Sequence, residues 1–556
     1  MADVSKVEVT KIESKALRGN IASELFSSDS GFGKGTTDLI KFHGMYQQDD
    51  RDARKGSKEK AYSLMIRGRI PGGRLTAKQY VIWDDVASKY SNNNSLRLTT
   101  RQSIQLHGVL KSDIKATIQE INTTLQSTQG ACGDVVRNVT QAENPLGDKK
   151  LSQLDVIADQ ISDHFLAKST AYAEIWLDGE QVNKEETLYG ETYLPRKFKI
   201  ALTAVGNNSV DLFTNDLGIA ATFDSEENID GYFIFAGGGM GMTHKKPSTF
   251  PRIASELGWV PKDKLIGVSE SIISVHRDYG NRKDRKNARL KYIIADQGVQ
   301  WFREIVESRS KVVFEKRTLP LWETPNLLGW HKASNGSFSY GLHLTAGRIS
   351  DTEKVQLKSG LRHTIEKFNL NIQVTADQDL LLLNISEEDR ANVEANLRLY
   401  GIVHQKISEI DKRALACVAL PTCGLAITEA ERALTSITEK LDQLLEKYGL
   451  QSKSPVFRIT GCPNGCARPY AAELAFVGRS KNAYSIFAGG SAEGDRIAPL
   501  LFDNVKEEVI FSYIESLFKL WRNEGTDSEK LGDFVYRLSN EVVAEKIEQS
   551  VMQIQA

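Results

Sequence analysis

Leu96-Arg-Leu-Thr-Thr-Arg-Gln-Ser-Ile-Gln-Leu-His107 returns late in the chain as Ile372-Gln-Val-Thr-Ala-Asp-Gln-Asp-Leu-Leu-Leu-Leu383. Upstream of each copy stands a second matched stretch. Met65-Ile-Arg-Gly-Arg-Ile-Pro-Gly-Gly-Arg-Leu-Thr76 resembles Tyr340-Gly-Leu-His-Leu-Thr-Ala-Gly-Arg-Ile-Ser350. Helix-sized segments around Lys78–Tyr90 and Thr352–Phe368 separate the two stretches, so a small β-α-β unit is used twice. Strand side chains alternate faces, which lets Arg97, Thr99, Arg101, Gln105 and His107 share one face. The second copy carries Gln373, Asp377, Leu381 and Leu383 where the first has Arg97, Arg101, Gln105 and His107. One copy keeps a polar face and the other has lost it, as expected of a duplication followed by decay of one site.

A fainter repeat lies outside these units. Phe235-Ala-Gly-Gly-Gly-Met-Gly241 is echoed by Phe487-Ala-Gly-Gly-Ser491, and Phe198-Lys-Ile200 by Phe457-Arg-Ile459. The chain therefore reads as two halves, each with a small β-α-β unit and a larger α/β unit.

Bulk properties narrow the class. A chain of 556 residues is too long for one core, and about two to four domains are expected. A net charge of −1 gives no long-range attraction to nucleic acid or anionic membrane. No apolar run reaches the roughly 18 residues of a membrane span. Residues 1–20 lack the pattern of a signal peptide. Five cysteines in a chain this long do not make a disulfide scaffold. A reduced, cytoplasmic, multidomain protein is expected.

Four of those cysteines, Cys417, Cys423, Cys462 and Cys466, fall in one window as Cys-x5-Cys and Cys-Pro-Asn-Gly-Cys. Zinc favours tight C-x2-C knuckles, whereas a cubane iron–sulfur cluster accepts thiolates from wider loops. A cluster is the favoured reading, against zinc or four buried free thiols. Thr428-x-x-Glu431 has the form of a capping box, with Leu434, Ile437, Leu441, Leu444, Leu445 and Tyr448 following at helical spacing. On that reading Cys423 lies just before a helix N-terminus, where a thiolate is favoured.

Cations form the second signal. Arg67 interrupts an apolar strand, and Lys197 and Lys199 share a strand face; Arg137 by itself is no better than a surface arginine. The run from Arg277 to Lys291 is either an anion site or a solvated face with internal Asp partners. Gly237-Gly-Gly-Met-Gly241 fails the dinucleotide frame because Met242 stands where the third glycine belongs, and Gly33-Lys34-Gly35 is not a Walker motif. Electrons for any redox chemistry must therefore come from another protein.

The cysteine pattern, with Thr460-Gly-Cys-Pro-Asn-Gly-Cys466, resembles the sulfite/nitrite reductase family that pairs sirohaem with a [4Fe–4S] cluster. More narrowly, the chain looks like the haemoprotein (β) subunits of its NADPH-dependent assimilatory branch. Phe42–Arg51, Arg97–Arg101, Ala171–Trp176, Tyr193–Lys199 and Asp284–Arg289 carry the same resemblance. The chain departs from the family pattern at Lys41, where arginine is usual, and after Phe534.

The resemblance implies an α+β fold, a pseudo-two-fold repeat of ferredoxin-like units bridging two larger sirohaem- and cluster-binding domains. The expected division is an N-terminal arm that docks on the chain or a partner (1–60) and ferredoxin-like repeat 1 (61–125). A sirohaem and substrate domain (126–327), ferredoxin-like repeat 2 (328–395) and a cluster domain (396–556) follow. It further implies that Cys417, Cys423, Cys462 and Cys466 ligate the cluster and that Cys466 bridges to the sirohaem iron. Arg67, Arg137, Lys197 and Lys199 would line the anion pocket. Arg97, Thr99, Arg101, Gln105, His107 and Asn464 would surround the sirohaem. The expected reaction is six-electron reduction of sulfite to sulfide, fed by an NADPH-dependent flavoprotein carrying FAD and FMN. A sirohaem nitrite reductase and a non-catalytic iron–sulfur electron-transfer subunit are the alternatives.

Overall fold

The computed structural model describes residues 4–54, 57, 59–168, 176–177, 180–181, 186–404 and 407–555. Residues 171–175, which carry part of the family resemblance, lie outside them. Four five-stranded sheets organise the chain.

The first small sheet runs, edge to edge, Met45–Asp49, Tyr62–Arg67, Ile104–Val109, Leu96–Leu98 and Arg348–Ile349. The second runs Gly329–Lys332, Phe338–Leu342, Leu380–Ile385, Asn371–Val374 and Arg74–Leu75. Each sheet is thus completed by a two-residue strand from the other repeat: Arg348 pairs with Arg97, and Arg74 with Gln373. The repeats also share one core. Tyr80, Trp83, Val86 and Leu106 of the first pack in the same apolar cluster as Leu361, Ile365, Leu382 and Val393 of the second. Burying a side chain of this size contributes roughly 1.5–3 kcal/mol, so separating the repeats would expose much of what stabilises either.

Helix Ala77–Tyr90 begins at a capping box: Gln79 N–H donates to the Thr76 hydroxyl, and Thr76 N–H to the Gln79 side chain. Its counterpart starts at Leu357, five residues inside the expected segment, and ends at Phe368 with Asn369 in the left-handed conformation.

The two larger sheets share one topology. Thr140–Gln141, Ile200–Ala204 and Leu217–Phe223 run parallel, followed by the antiparallel Ile229–Ala236 and Ser255–Pro261. In the second half Leu415–Ala416, Phe457–Thr460 and Leu474–Ser480 run parallel, followed by Ala483–Ala488 and Leu500–Lys506. The pairing corrects the fainter sequence echo. Leu217 lies opposite Ile200 and Leu474 opposite Phe457, so Ile200, not Phe198, is the counterpart of Phe457.

The capping box expected at Thr428 does not form. The helix spans Leu434–Lys447 with Ala433 as its first flanking residue. Glu431 is drawn away to two arginines, Arg97 and Arg348. Cys423 therefore sits in a loop well before the helix, beyond the reach of its dipole. No helix among the described residues is long and apolar enough to cross a membrane.

Candidate anion cleft and thiol cluster

Cys417 follows strand Leu415–Ala416, and its N–H donates to the Ile459 carbonyl at 3.2 Å. Cys462 and Cys466 bound the turn after strand Phe457–Thr460. Cys423 follows the cis Leu420–Pro421 bond. The four sulfurs converge: burial and then the Cys466 charge raise Cys417, Cys423 and Cys462, the last to about 12. Cys417, Cys423 and Cys462 thus resist ionisation as bare thiols, a cost that a cation among them would relieve. Among the described residues no three His, Cys, Asp or Glu side chains stand close enough to ligate one metal ion. Four thiols brought together from separate loops are the donor set that a cubane cluster takes.

Both halves brace this loop set. Arg51 donates to the Ala426 carbonyl at 2.9 Å and to Cys423 at 3.2 Å. Thr100 donates to the Cys466 carbonyl at 3.1 Å. The glycine stretch Gly237–Gly241 packs beside the Cys462–Cys466 turn, with Met242 N–H donating to Pro463 O at 2.9 Å. A Cβ on Gly238 would strike the Phe213 and Asn215 carbonyls, so these glycines serve close approach. Buried Lys291 ties the stretch down through the Gly239 and Gly241 carbonyls at 3.0 and 2.7 Å.

The predicted cations gather in front of Cys466. Lys197 and Lys199 are mostly buried, each keeping a minor part of its surface exposed. Burial and the charges of Arg196, Arg289 and Arg137 bring Lys197 down to about 7, with the Cys466 sulfur pulling the other way. Burial, then Lys197, Arg101 and Arg289, hold Lys199 well below the ordinary lysine range. Arg137 is fixed by donating Nε–H to the Gly133 carbonyl at 2.7 Å and by a hydrogen bond with Tyr46.

Arg67 stands over Cys132, its Nη1 3.3 Å from the sulfur. With its amide oxygen turned to Arg67, Gln105 accepts from Nε at 2.8 Å while its nitrogen donates to His107 Nε2 at 3.2 Å. His107 Nδ1–H then donates to Gln48 at 3.0 Å. Burial, followed by Arg348, Arg97 and Arg67, pushes His107 well below its usual value, so the ring is neutral. Gln105 and His107 therefore orient Arg67 from behind.

Arg101 bonds Asn215 Oδ1 and the Asn138 and Ile200 carbonyls, with Nε unpartnered. Thr99 accepts from the Arg101 N–H at 3.2 Å. Asn464 hydrogen-bonds the Cys462 sulfur through backbone and side chain. Arg97 is placed apart from this group. It pairs with Glu431 at 2.8 Å and donates to the Ala416 carbonyl beside Cys417.

Arg196, Arg289, Tyr46, Cys132 and Asp216 also belong to the cleft, although periodicity does not single them out. Arg289 forms a forked pair with Asp216, which also accepts the Lys199 N–H. Other arginines of the Arg277–Lys291 run are paired with carboxylates, Arg277 with Asp278, Arg282 with Glu8 and Arg285 with Asp134.

Residues 158–314 and 412–554 match the nitrite and sulphite reductase 4Fe-4S domain, and 56–123 and 331–400 the nitrite/sulfite reductase ferredoxin-like half domain. The chain is 40% identical over 542 residues to a sulfite reductase [NADPH] hemoprotein beta-component of Shewanella sp. (strain W3-18-1), covering 96% of both proteins. It is also 40% identical over 559 residues to a sulfite reductase [ferredoxin] of Synechococcus elongatus, covering 96% of this chain and 89% of that protein. The Mycobacterium tuberculosis NirA structure superposes with a TM-score of 0.76 at 21% identity, over 96% of this chain and 95% of that one, which supports the same fold. Thiol set, cation cleft and duplicated domains agree: the chain belongs to the sulfite/nitrite reductase family that pairs sirohaem with a [4Fe–4S] cluster.

Proposed function

We propose that the protein reduces sulfite to sulfide, as the haemoprotein subunit of an assimilatory sulfite reductase. The observation that carries this reading is the convergence of Lys197 and Lys199 on the cleft in front of Cys466, with Arg101, Arg137 and Arg67 in the surrounding cation set. Cys417, Cys423, Cys462 and Cys466 would hold the cluster, and Cys466, the thiol exposed to the cleft, would be shared with the sirohaem iron. Arg101 and Asn464 would face the tetrapyrrole and its carboxylates. When bound, the coupled cofactors would relay electrons arriving in successive steps from the external donor and would offer an iron to hold sulfur.

The chain's own residues account for substrate charge and protons. Sulfite is a dianion, and a cluster held by four thiolates repels it. A cation about 4 Å from an anionic oxygen offsets roughly 4 kcal/mol at an effective dielectric near 20. Arg67 and Arg137 keep their protons and orient oxygens through forked hydrogen bonds, since guanidinium does not act as an acid near neutrality. Three oxygens leave as water, which consumes six protons. Lys197, titrating at about 7, passes between its charged and neutral forms in the physiological range. Lys199 beside it is likewise held well below the ordinary lysine range by burial and the charge of Lys197, which places a second exchangeable proton site next to the first.

The electron donor in this reading is an NADPH-oxidising flavoprotein with FAD and FMN, in line with the name of the Shewanella relative. Ferredoxin is the second reading, because the Synechococcus relative named for it is equally similar. The test is turnover of the cofactor-loaded protein with reduced methyl viologen, on sulfite and on nitrite. It is then repeated with NADPH plus flavoprotein and with reduced ferredoxin. A higher kcat/KM for nitrite sinks the sulfite assignment, and turnover with ferredoxin alone sinks the flavoprotein.

A further inference from the structure

A cavity of about 310 Å³ lies away from Cys466, between strand ends of the two halves and the segment 324–328 that links them. Sheet register identifies what it is. Gln105 opposite Arg67 corresponds to Leu381 opposite Gly341. Thr140 opposite Ala201 corresponds to Leu415 opposite Arg458, which makes Lys412 the counterpart of Arg137. Lys199 N–H donates to Asp216 as Val456 N–H donates to Glu473, so Ser454 stands for Lys197. Asp211 and Arg468 each adopt a left-handed conformation before a single 3-10 turn, which places Ser209 at the position of Cys466. Arg289 and Lys530 immediately precede equivalent helices, Leu290–Gln297 and Leu531–Leu538.

Lys412, Ser454, Ser209 and Lys530 line the cavity together with Asp377, the counterpart of Arg101. It is therefore the pseudo-two-fold image of the anion cleft. The image has been rebuilt. A side chain at Gly341, in the place of Arg67, would collide with the Leu327 carbonyl, so the linker fills that part of the space. The thiol has become the Ser209 hydroxyl, and no cluster ligand remains.

The charges left over decide what fits. Lys412 pairs with Glu409 at 2.5 Å, Asp377 with Arg468 at 3.1 Å and Asp379 with His343 at 3.1 Å. Arg413 and Lys530, on the same wall, have no carboxylate within ion-pair distance among the described residues, and Arg413 makes one hydrogen bond, to the Ala492 carbonyl. The Ser454 hydroxyl is buried without a partner. We infer that this second cavity binds a small oxyanion, held by Arg413 and Lys530 with the Ser454 hydroxyl as a further donor. The duplication has left a substrate-like anion site stripped of its redox centre.

Calorimetric titration of the cofactor-loaded protein with sulfate, phosphate and acetate in turn tests this. At least one should bind saturably with Kd below about 1 mM. That binding should survive K197M/K199M, which disarms the catalytic cleft, and weaken at least tenfold in R413A/K530A. Selenate soaked into crystals of the unaltered protein should give anomalous density beside Arg413, a readout independent of how the variants fold. Absence of saturable binding, loss in K197M/K199M with retention in R413A/K530A, or selenate density confined to the catalytic cleft would each overturn the inference.

Discussion

Asp211 and Arg468 occupy the same position in the two halves of the chain, and they form an ion pair with each other at 2.5 Å. Both are buried. Arg468 also donates to the Thr100 and Ala376 carbonyls, which are equivalent positions of the two small repeats. The pair thus lies on the pseudo-two-fold axis, where one position inherited twice has taken opposite charges. Asp211 also binds Arg458 at 2.6 Å, and these arginines override the burial that would otherwise raise its carboxyl.

Breaking this contact should loosen the halves from each other. Asp211→Asn leaves two buried guanidinium groups short of an anion and should cost about 3–5 kcal/mol in urea denaturation. Changing Arg468→Met in addition should recover part of that loss. Equal stability of D211N and the unaltered protein would remove this pair from the inter-half contact.

Gln105→Leu installs the residue that the second repeat carries at Leu381. Arg67 then loses its acceptor, and a hydrogen bond to a charged group contributes about 1.5–3 kcal/mol. KM for sulfite should rise by roughly tenfold or more with the visible spectrum unchanged. An unchanged KM would show that Arg67 needs no support from behind.

Proton delivery by Lys197 predicts a rate that falls as pH rises through about 7. Lys197→Met should remove that limb, and nitrite, which does not titrate there, provides the control. Because burial lowers this lysine, the folded chain binds fewer protons than the unfolded one between about 7 and the ordinary lysine value. Its contribution to stability therefore improves with rising pH, so the alkaline fall in rate is not unfolding. Lys199→Met should lower kcat by about 10²–10⁴-fold with the chromophore intact.

Glu431 accepts from Arg97 and Arg348, one from each repeat on paired strands of the first small sheet, and its N–H donates to the Cys417 carbonyl. Burial opposes ionisation, but the two arginines win and hold the carboxyl below its ordinary value. This stabilisation is full above the ordinary glutamate pKa and is lost as pH falls through the lower, folded value. Glu431→Gln should cost about 3 kcal/mol at pH 7 and less in acid. Iron content should fall with it, because the loop carrying Cys417 loses its tie to the first small sheet.

Cys462→Ser should abolish the cluster, read as lost iron and acid-labile sulfide. Retention of both would exclude Cys462 as a ligand.

The sequence by itself determined the duplication and singled out the four-cysteine window and the strand cations Arg67, Lys197 and Lys199, whereas Arg137 entered only through the family resemblance. Repeated motifs and charged residues in apolar strands are local signals, and a strand's two-residue period places side chains on a face without knowledge of its neighbours. The same period hid the true register. Phe198-Lys-Ile200 and Phe457-Arg-Ile459 align with either zero or two residues of slip, and both alignments keep every side chain on its face. Only strand pairing decided that Lys199 corresponds to Val456.

Tertiary structure also took Glu431 from its expected cap, because two arginines from distant strands outweigh one helix N-terminus. It placed Arg97 there rather than in the cleft, exchanged the edge strands at Arg74 and Arg348, and paired Asp211 with Arg468. Each depends on which charges meet across several hundred residues of chain, and no local pattern records such meetings.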